Sequence, residues 1–369
     1  MPLRDALGKV EPYRPQPPMR VLAERAGLER MVKLASNEGA FGPLPAAVAA
    51  YEAAASELHR YPDGGAASLR AALGERHGLP PEQVVPGNGA DELIRLCAAA
   101  ALDAGDAAVF PWPSFASYVS AAGVHGADAV RVPLRDRAFD LGGVLEACSA
   151  PAPGGGRVRL VYLANPNNPT GTILDPAQLR GFLDALPAGI LCVLDEAYAE
   201  YADVEPEGPA LLREGREALC VLRTFSKVYG LAALRIGYAL ASPAVAAALD
   251  RVRPIFNANQ PAQEAALAAL GEGDEVARRA NHARGAREQL HDALAAAGLD
   301  PLPSQTNFVY ADVPGGRADA LAEGLLAEGL IVRALRGFGA PGAIRVTCGT
   351  DEENSAFAEA LARVMARDV

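Results

Sequence analysis

Between about residue 68 and about residue 255, short β-branched apolar runs alternate with Ala/Leu-rich stretches of helical character. That alternation restricts the chain to βα units laid around a mostly parallel sheet. The expected strands are 107–110, 130–133, 158–164, 190–194, 219–224 and 236–240, and several end at a cluster of polar or Gly/Pro residues. Pro151-Ala152-Pro153-Gly154-Gly155-Gly156 falls between two of them and reads as a surface loop, not an interdomain linker. Past about residue 255 the pattern changes to longer amphipathic helices with a few strands, at 307–311 and 343–347, as in a smaller α+β domain. The expected division is therefore an N-terminal arm over 1–35, a large α/β domain over 36–255 and a small domain over 256–369. Thr350 and Glu353 have capping-box spacing, and Phe357, Leu361, Val364 and Met365 follow along one helical face.

Several function classes are excluded early. A length of 369 residues suits two domains, and the longest uncharged stretches are broken by Pro, Ser, Asn and Gly, so no membrane span is expected. Met1-Pro2-Leu3-Arg4-Asp5 lacks the apolar core of a secretory signal, so a cytoplasmic location is expected. Cys97, Cys148, Cys192, Cys220 and Cys348 are widely spaced without a CxxC pair, so buried reduced thiols are expected, with no disulfide and no metal. The five histidines have no metal-binding spacing and read as solvated. A net charge of −11 argues against nucleic-acid binding, which needs a basic face.

The chemistry collects at the strand ends. Leu219-Cys220-Val221-Leu222 leads into Arg223-Thr224-Phe225-Ser226-Lys227, which puts Lys227 just past the carboxyl end of a strand, where open α/β sheets bind ligands. An amine there can form a Schiff base with an aldehyde, while Thr224, Ser226 and Arg235 suit a phosphate dianion. Pyridoxal 5′-phosphate carries both groups. Asp195 and Tyr198 follow the 190–194 strand, and a carboxylate at Asp195 favours a protonated pyridine nitrogen, making the ring an electron sink. Tyr198 and Asn165, the first residue of Asn165-Pro166-Asn167-Asn168-Pro169-Thr170-Gly171, can hydrogen-bond the ring's 3-oxygen. The tightly packed turn residues of that run imply asparagine amides facing the sheet edge. Gly87-Asn88-Gly89-Ala90-Asp91-Glu92 opens a helix after a short strand, and its free N–H groups suit a phosphate cradle. As a dinucleotide fingerprint the same stretch fails, because Glu92 stands where a small residue is required. Phe115, after another strand, could lie face-on against the ring.

With these residues in place, the sequence resembles the fold-type I pyridoxal-phosphate aminotransferases, specifically the histidinol-phosphate aminotransferase family. The resemblance runs over nearly the whole chain, through Glu11-Pro12-Tyr13, Lys33-Leu34-Ala35-Ser36-Asn37-Glu38, Arg60-Tyr61-Pro62-Asp63, the Asn165–Gly171 run, Asp195-Glu196-Ala197-Tyr198, Arg223–Lys227, Asn307-Phe308 and Arg345-Val346-Thr347-Cys348-Gly349-Thr350. It implies a three-layer α/β/α large domain, a smaller α+β domain and a homodimer with shared active sites, in which Tyr61 reaches the partner's cofactor phosphate. It also implies that Arg345 grips the substrate's carboxylate or the equivalent end of histidinol phosphate, and that Tyr13 and Arg333 approach the substrate's phosphate. The activity implied is ping-pong transamination of L-histidinol phosphate with 2-oxoglutarate through a Lys227 Schiff base, giving imidazole acetol phosphate and L-glutamate in histidine biosynthesis. The alternative is an aminotransferase of Phe, Tyr or Trp. Two features depart from the family pattern: Gly39-Ala40 stands in place of the usual Asn-Pro, and Arg336-Gly337-Phe338-Gly339 forms a glycine-rich loop with an aromatic.

Overall fold

A computed structural model of the protein describes residues 3–12, 17–29 and 31–367. The chain forms strands β1 (Val32–Lys33), β2 (Val84–Gly87), β3 (Ala107–Trp112), β4 (Asp128–Pro133), β5 (Val158–Ala164), β6 (Leu191–Asp195) and β7 (Leu219–Thr224). They are followed by β8 (Gly237–Ala241), β9 (Asp300–Pro301), β10 (Phe308–Asp312), β11 (Leu330–Ile331), β12 (Arg333–Ala334) and β13 (Ala343–Thr347).

Seven strands make the main sheet, in the order β2-β8-β7-β6-β5-β3-β4. Neighbours from β7 to β4 run parallel, and β8 lies antiparallel between β7 and β2. The parallel strands are continuously apolar because both faces are covered. Along β5, Val161 and Leu163 enter a core shared with Leu44, Leu69, Leu73 and Leu194, whereas Leu160 and Tyr162 enter the opposite core with Leu93, Ile94, Phe110 and Tyr118. The result is the expected α/β/α sandwich. The chain lays β4 on one side of β3 and returns to lay β5 on the other, so the strand order reverses between β3 and β5. Such a reversal opens a crevice at the carboxyl edge.

The second sheet is antiparallel, in the order β12-β13-β10-β9. Helices Gly273–Ala296, Ala318–Ala327 and Asp351–Met365 contribute Leu290, Leu321, Leu325, Phe357 and Leu361 to its core, which also takes in Leu34 from the N-terminal segment. That segment is tied down by parallel pairing of β1 with β11. Helix Gln260–Ala269, beyond residue 255, buries Ala262, Ala265, Ala266 and Ala269 in the same core as the main sheet. The last helix has its capping box: Glu353 N donates to Thr350 Oγ1 at 3.3 Å and Thr350 N to Glu353 Oε2 at 3.0 Å.

Two local expectations needed correction. Strand β6 extends to Asp195, because its pairing with β5 and β7 runs through that residue. Strand β8 starts at Gly237, since Arg235 has a φ of 56° and interrupts the extended backbone. The histidines are not all solvated either: His77 Nε2 lies 2.9 Å from Tyr238 Oη, and burial pushes its pKa down to about 3, so it stays neutral. All five cysteines are buried and unbridged, and no helix among the described residues is long and apolar enough to cross a membrane.

Candidate active site

Strands β3, β5, β6 and β7 end at one edge, and the residues after them form the floor of the crevice. The β3 and β5 loops are joined across the reversal point: Ser114 Oγ donates to Asn167 Oδ1 at 3.0 Å, and Asn167 Nδ2 donates to Pro113 O at 3.3 Å. Asn165 lies alongside, with its N–H on Asp195 O at 2.8 Å and its Oδ1 accepting from Leu174 N at 2.8 Å. The side-chain amide of Asn165 can therefore present its Nδ2–H groups. The other amides of the run do not face outward as expected. Asn167 holds the loop through Thr170 and Pro113, and Asn168 Oδ1 accepts from Arg345 Nη1.

Asp195, 5% exposed, ends β6. Its Oδ2 accepts from Tyr118 Oη at 2.8 Å and its Oδ1 from Ala197 N at 3.2 Å. Burial raises its pKa and the Tyr118 hydrogen bond opposes that rise. Tyr118 is fixed by stacking on Tyr162, with centroids 4.6 Å apart, and Tyr162 Oη donates to Ile94 O at 2.7 Å. Tyr198 is buried, and its Oη accepts from Asn37 Nδ2 at 2.8 Å.

Lys227 sits past β7 with its Nζ 5.4 Å from the Tyr198 ring centroid. The residue as a whole is half-buried, but its amine lies deep, and burial, followed by the nearby Arg345 charge, pushes its pKa down to about 8. Glu38 and Asp195 act in the opposite direction. The lysine's carbonyl is closely covered: a Cβ on Gly39 would stand 2.8 Å from Lys227 O. The departure at Gly39 thus reflects a tight backbone contact, and Gly39→Ala is expected to destabilise the fold by about 1–3 kcal/mol through overpacking. A urea unfolding midpoint equal to wild type would contradict this.

A cradle for an anion forms beside the lysine. Thr224 Oγ1 donates to Ser226 Oγ at 2.9 Å and accepts from Ser226 N at 3.1 Å, so both hydroxyls occupy one spot. The Arg235 guanidinium lies so close to Gly89, the residue before helix Ala90–Ala101, that a Cβ there would stand 2.5 Å from Nη2. The glycine at that cap lets the guanidinium come up against the start of the helix, whose free N–H groups also suit an anion. The Asp91 carboxylate is turned away toward Ser117 and Arg95, which leaves its backbone N–H for an anion. Phe115 is half-buried and meets Tyr118 edge-on at 5.9 Å.

Across the crevice, Arg345 is 3% exposed and lies between the Phe308 and Phe338 rings, 5.1 and 5.4 Å from their centroids. Its Nη2 donates to Ala35 O at 2.9 Å, and its buried Nε has no protein partner. Burial pushes its pKa down to about 10. Arg333 is its register partner on β12, and its Nε also donates to Ala35 O, at 3.5 Å. Two guanidiniums that meet at one carbonyl bring two positive charges to this side of the crevice. Tyr61 stands apart from this group in the single chain, 83% exposed and stacked on Phe256 with centroids 4.7 Å apart. Tyr13 lies outside the described residues. Sequence reasoning did not assign Asn37, Tyr118, Asn168 and Thr347 to the site. Asn37, Tyr118 and Asn168 each act on a proposed site residue, and Thr347 on Asn37, through hydrogen bonds that spacing along the chain does not encode.

Residues 29–361 match the sequence profile of the aminotransferase class I and II family. The chain is 44% identical over 362 residues to a histidinol-phosphate aminotransferase of Anaeromyxobacter sp. (strain Fw109-5), covering 97% of this chain and 98% of that one. It is 43% identical over 364 residues to histidinol-phosphate aminotransferase 2 of Pseudomonas aeruginosa, with coverage of 98% and 96%. Among solved structures, the histidinol-phosphate aminotransferase of Sinorhizobium meliloti in complex with pyridoxal-5′-phosphate superposes with a TM-score of 0.89 at 31% identity, covering 100% of this chain and 98% of that one.

Proposed function

Because this chain belongs to the class I and II aminotransferase family, we propose that it transfers the amino group of L-histidinol phosphate to 2-oxoglutarate, giving imidazole acetol phosphate and L-glutamate in histidine biosynthesis. The names of its relatives support this reading, and the observation that carries it is the pair Arg333 and Arg345 on one carbonyl. A phosphate dianion suits two guanidiniums, whereas an α-carboxylate is matched by one bidentate fork.

The cofactor is pyridoxal 5′-phosphate, which supplies an aldehyde carbon that takes up an amine and a ring that accepts electrons from the substrate's Cα–H bond. Gly89, Ala90, Asp91, Thr224, Ser226 and Arg235 would hold its phosphate: the paired hydroxyls, the guanidinium packed on Gly89 and the helix N–H groups are the donors a phosphate dianion needs. Lys227, past the end of β7, would hold the aldehyde carbon through its amine. With a pKa near 8 a useful fraction of the amine is neutral, so it would be able to take a proton from the substrate's Cα. Asp195, held by Tyr118, keeps the ring nitrogen protonated. Tyr198 and the Asn165 amide would donate to the 3-oxygen, and Phe115 would cover the ring. Tyr13 and Arg333 would approach the substrate's phosphate. The enzyme works as a cytoplasmic homodimer, and the exposed Tyr61–Phe256 stack, with Ile255 83% exposed beside it, is the apolar surface that a second copy would cover.

Phe338, half-exposed against Arg345, favours a second reading in which the donor is Phe, Tyr or Trp. A half-reaction titration separates the two. Conversion of the cofactor-loaded enzyme by L-histidinol phosphate well ahead of L-phenylalanine is expected; equal or better conversion by phenylalanine overturns the phosphate-ester reading.

A further inference from the structure

Asn37 lies outside the groups assigned above to cofactor and substrate, yet it is 1% exposed and fully engaged. Its backbone is left-handed, with a φ of 55°, a conformation that asparagine tolerates better than most residues. Its N–H donates to Thr347 Oγ1 at 3.0 Å, and the same hydroxyl donates to Asn37 Oδ1 at 3.1 Å. With Thr347 Oγ1 accepting from Asn37 N and donating to Oδ1, the amide turns its oxygen toward Thr347. Nδ2 is left for Tyr198 Oη, 2.8 Å away. Tyr198 thus accepts at its oxygen, and its own proton is free to be donated outward into the crevice.

The segment that presents Asn37 is laced to the strand that carries Arg345. Thr347 N donates to Leu34 O at 2.9 Å, Arg345 Nη2 to Ala35 O at 2.9 Å, and Asn307 Nδ2 to Asn37 O at 3.2 Å. We propose that Asn37 is a positioning residue that aims the Tyr198 hydroxyl proton at the cofactor's 3-oxygen, and that Thr347 locks it there. The inference rests on the reading above that Tyr198 faces that oxygen. A phenol that accepts from an amide is the stronger donor, because hydrogen bonds in a chain polarise one another. The charged groups that also face Tyr198 are Arg345 on β13, Asp195 on β6 and the Lys227 amine after β7; all three persist in the variants below.

The test is a pH titration of the visible absorbance of the resting, cofactor-loaded enzyme, which follows the proton on the nitrogen joining Lys227 to the cofactor. A more weakly stabilised 3-oxygen is more basic and holds that proton to higher pH. Asn37→Gly keeps the left-handed backbone and removes the amide, and it should raise the midpoint by about 0.4–1 unit, the size of one net hydrogen bond. Tyr198→Phe should move it in the same direction. Thr347→Val should raise it as well, and Thr347→Ser should restore it, whereas Thr350→Ala, which removes the helix cap, should lower stability and leave the midpoint in place. A shift with Tyr198→Phe but none with Asn37→Gly or Thr347→Val overturns the role of Asn37 alone. No shift with Tyr198→Phe overturns the placement of Tyr198 and the role of Asn37 with it.

Discussion

Lys227→Ala should abolish steady-state transamination. Proton transfer by a positioned base is worth roughly 10²–10⁴-fold, and loss of the covalent attachment adds to that. The phosphate cradle made by Gly89, Ser226 and Arg235 is separate from the amine, so the variant should still take up cofactor, as read by equilibrium dialysis. Lys227→Arg should not rescue activity. A guanidinium stays charged at working pH even when buried, as Arg345 does with a pKa near 10, whereas the buried lysine titrates near 8 and is partly neutral there. Turnover of L-histidinol phosphate by either variant at wild-type rates would remove Lys227 from the chemistry.

Asp195→Asn should lower kcat by roughly 10²-fold or more, the usual cost of removing a preorganised charge-stabilising group. The substitution is close to isosteric, and an asparagine oxygen can still accept from Tyr118, so the fold and cofactor content should hold while the negative charge is lost. The slow step should be removal of the Cα proton, which gives a larger primary isotope effect with Cα-deuterated donor than in the wild type. Near-normal kcat with an unchanged isotope effect would mean that the ring nitrogen does not depend on this carboxylate.

Much of the site was legible because it lies where short apolar runs end. Asp195, Asn165 and Lys227 each follow a run whose length and composition mark it as a buried parallel strand, and parallel strands of one sheet end at one edge. The placement of these residues together therefore follows from topology. Boundaries were read less well: β6 reaches Asp195 because its neighbours pair that far, and β8 starts late because Arg235 adopts a left-handed backbone. Neither is a property of local composition. The asparagines of the 165–171 run show the same limit, since turn chemistry identifies them, but whether an amide meets a ligand, Ser114 or Arg345 depends on segments far away in the chain.

The sequence by itself determined the layered α/β architecture, the run that anchors the lysine and the family, because these rest on periodicity, strand ends and contiguous motifs. Only the tertiary structure decided how the groups are tuned. Tyr118 reaches Asp195 across 77 positions of sequence and Asn37 reaches Tyr198 across 161. The tight contact of Gly39 with the Lys227 carbonyl and the shared grip of Arg333 and Arg345 on Ala35 are equally non-local. Proton affinity and hydrogen-bond direction in a buried site are set by whichever atoms pack within about 3 Å, and those neighbours exist only once the chain is folded.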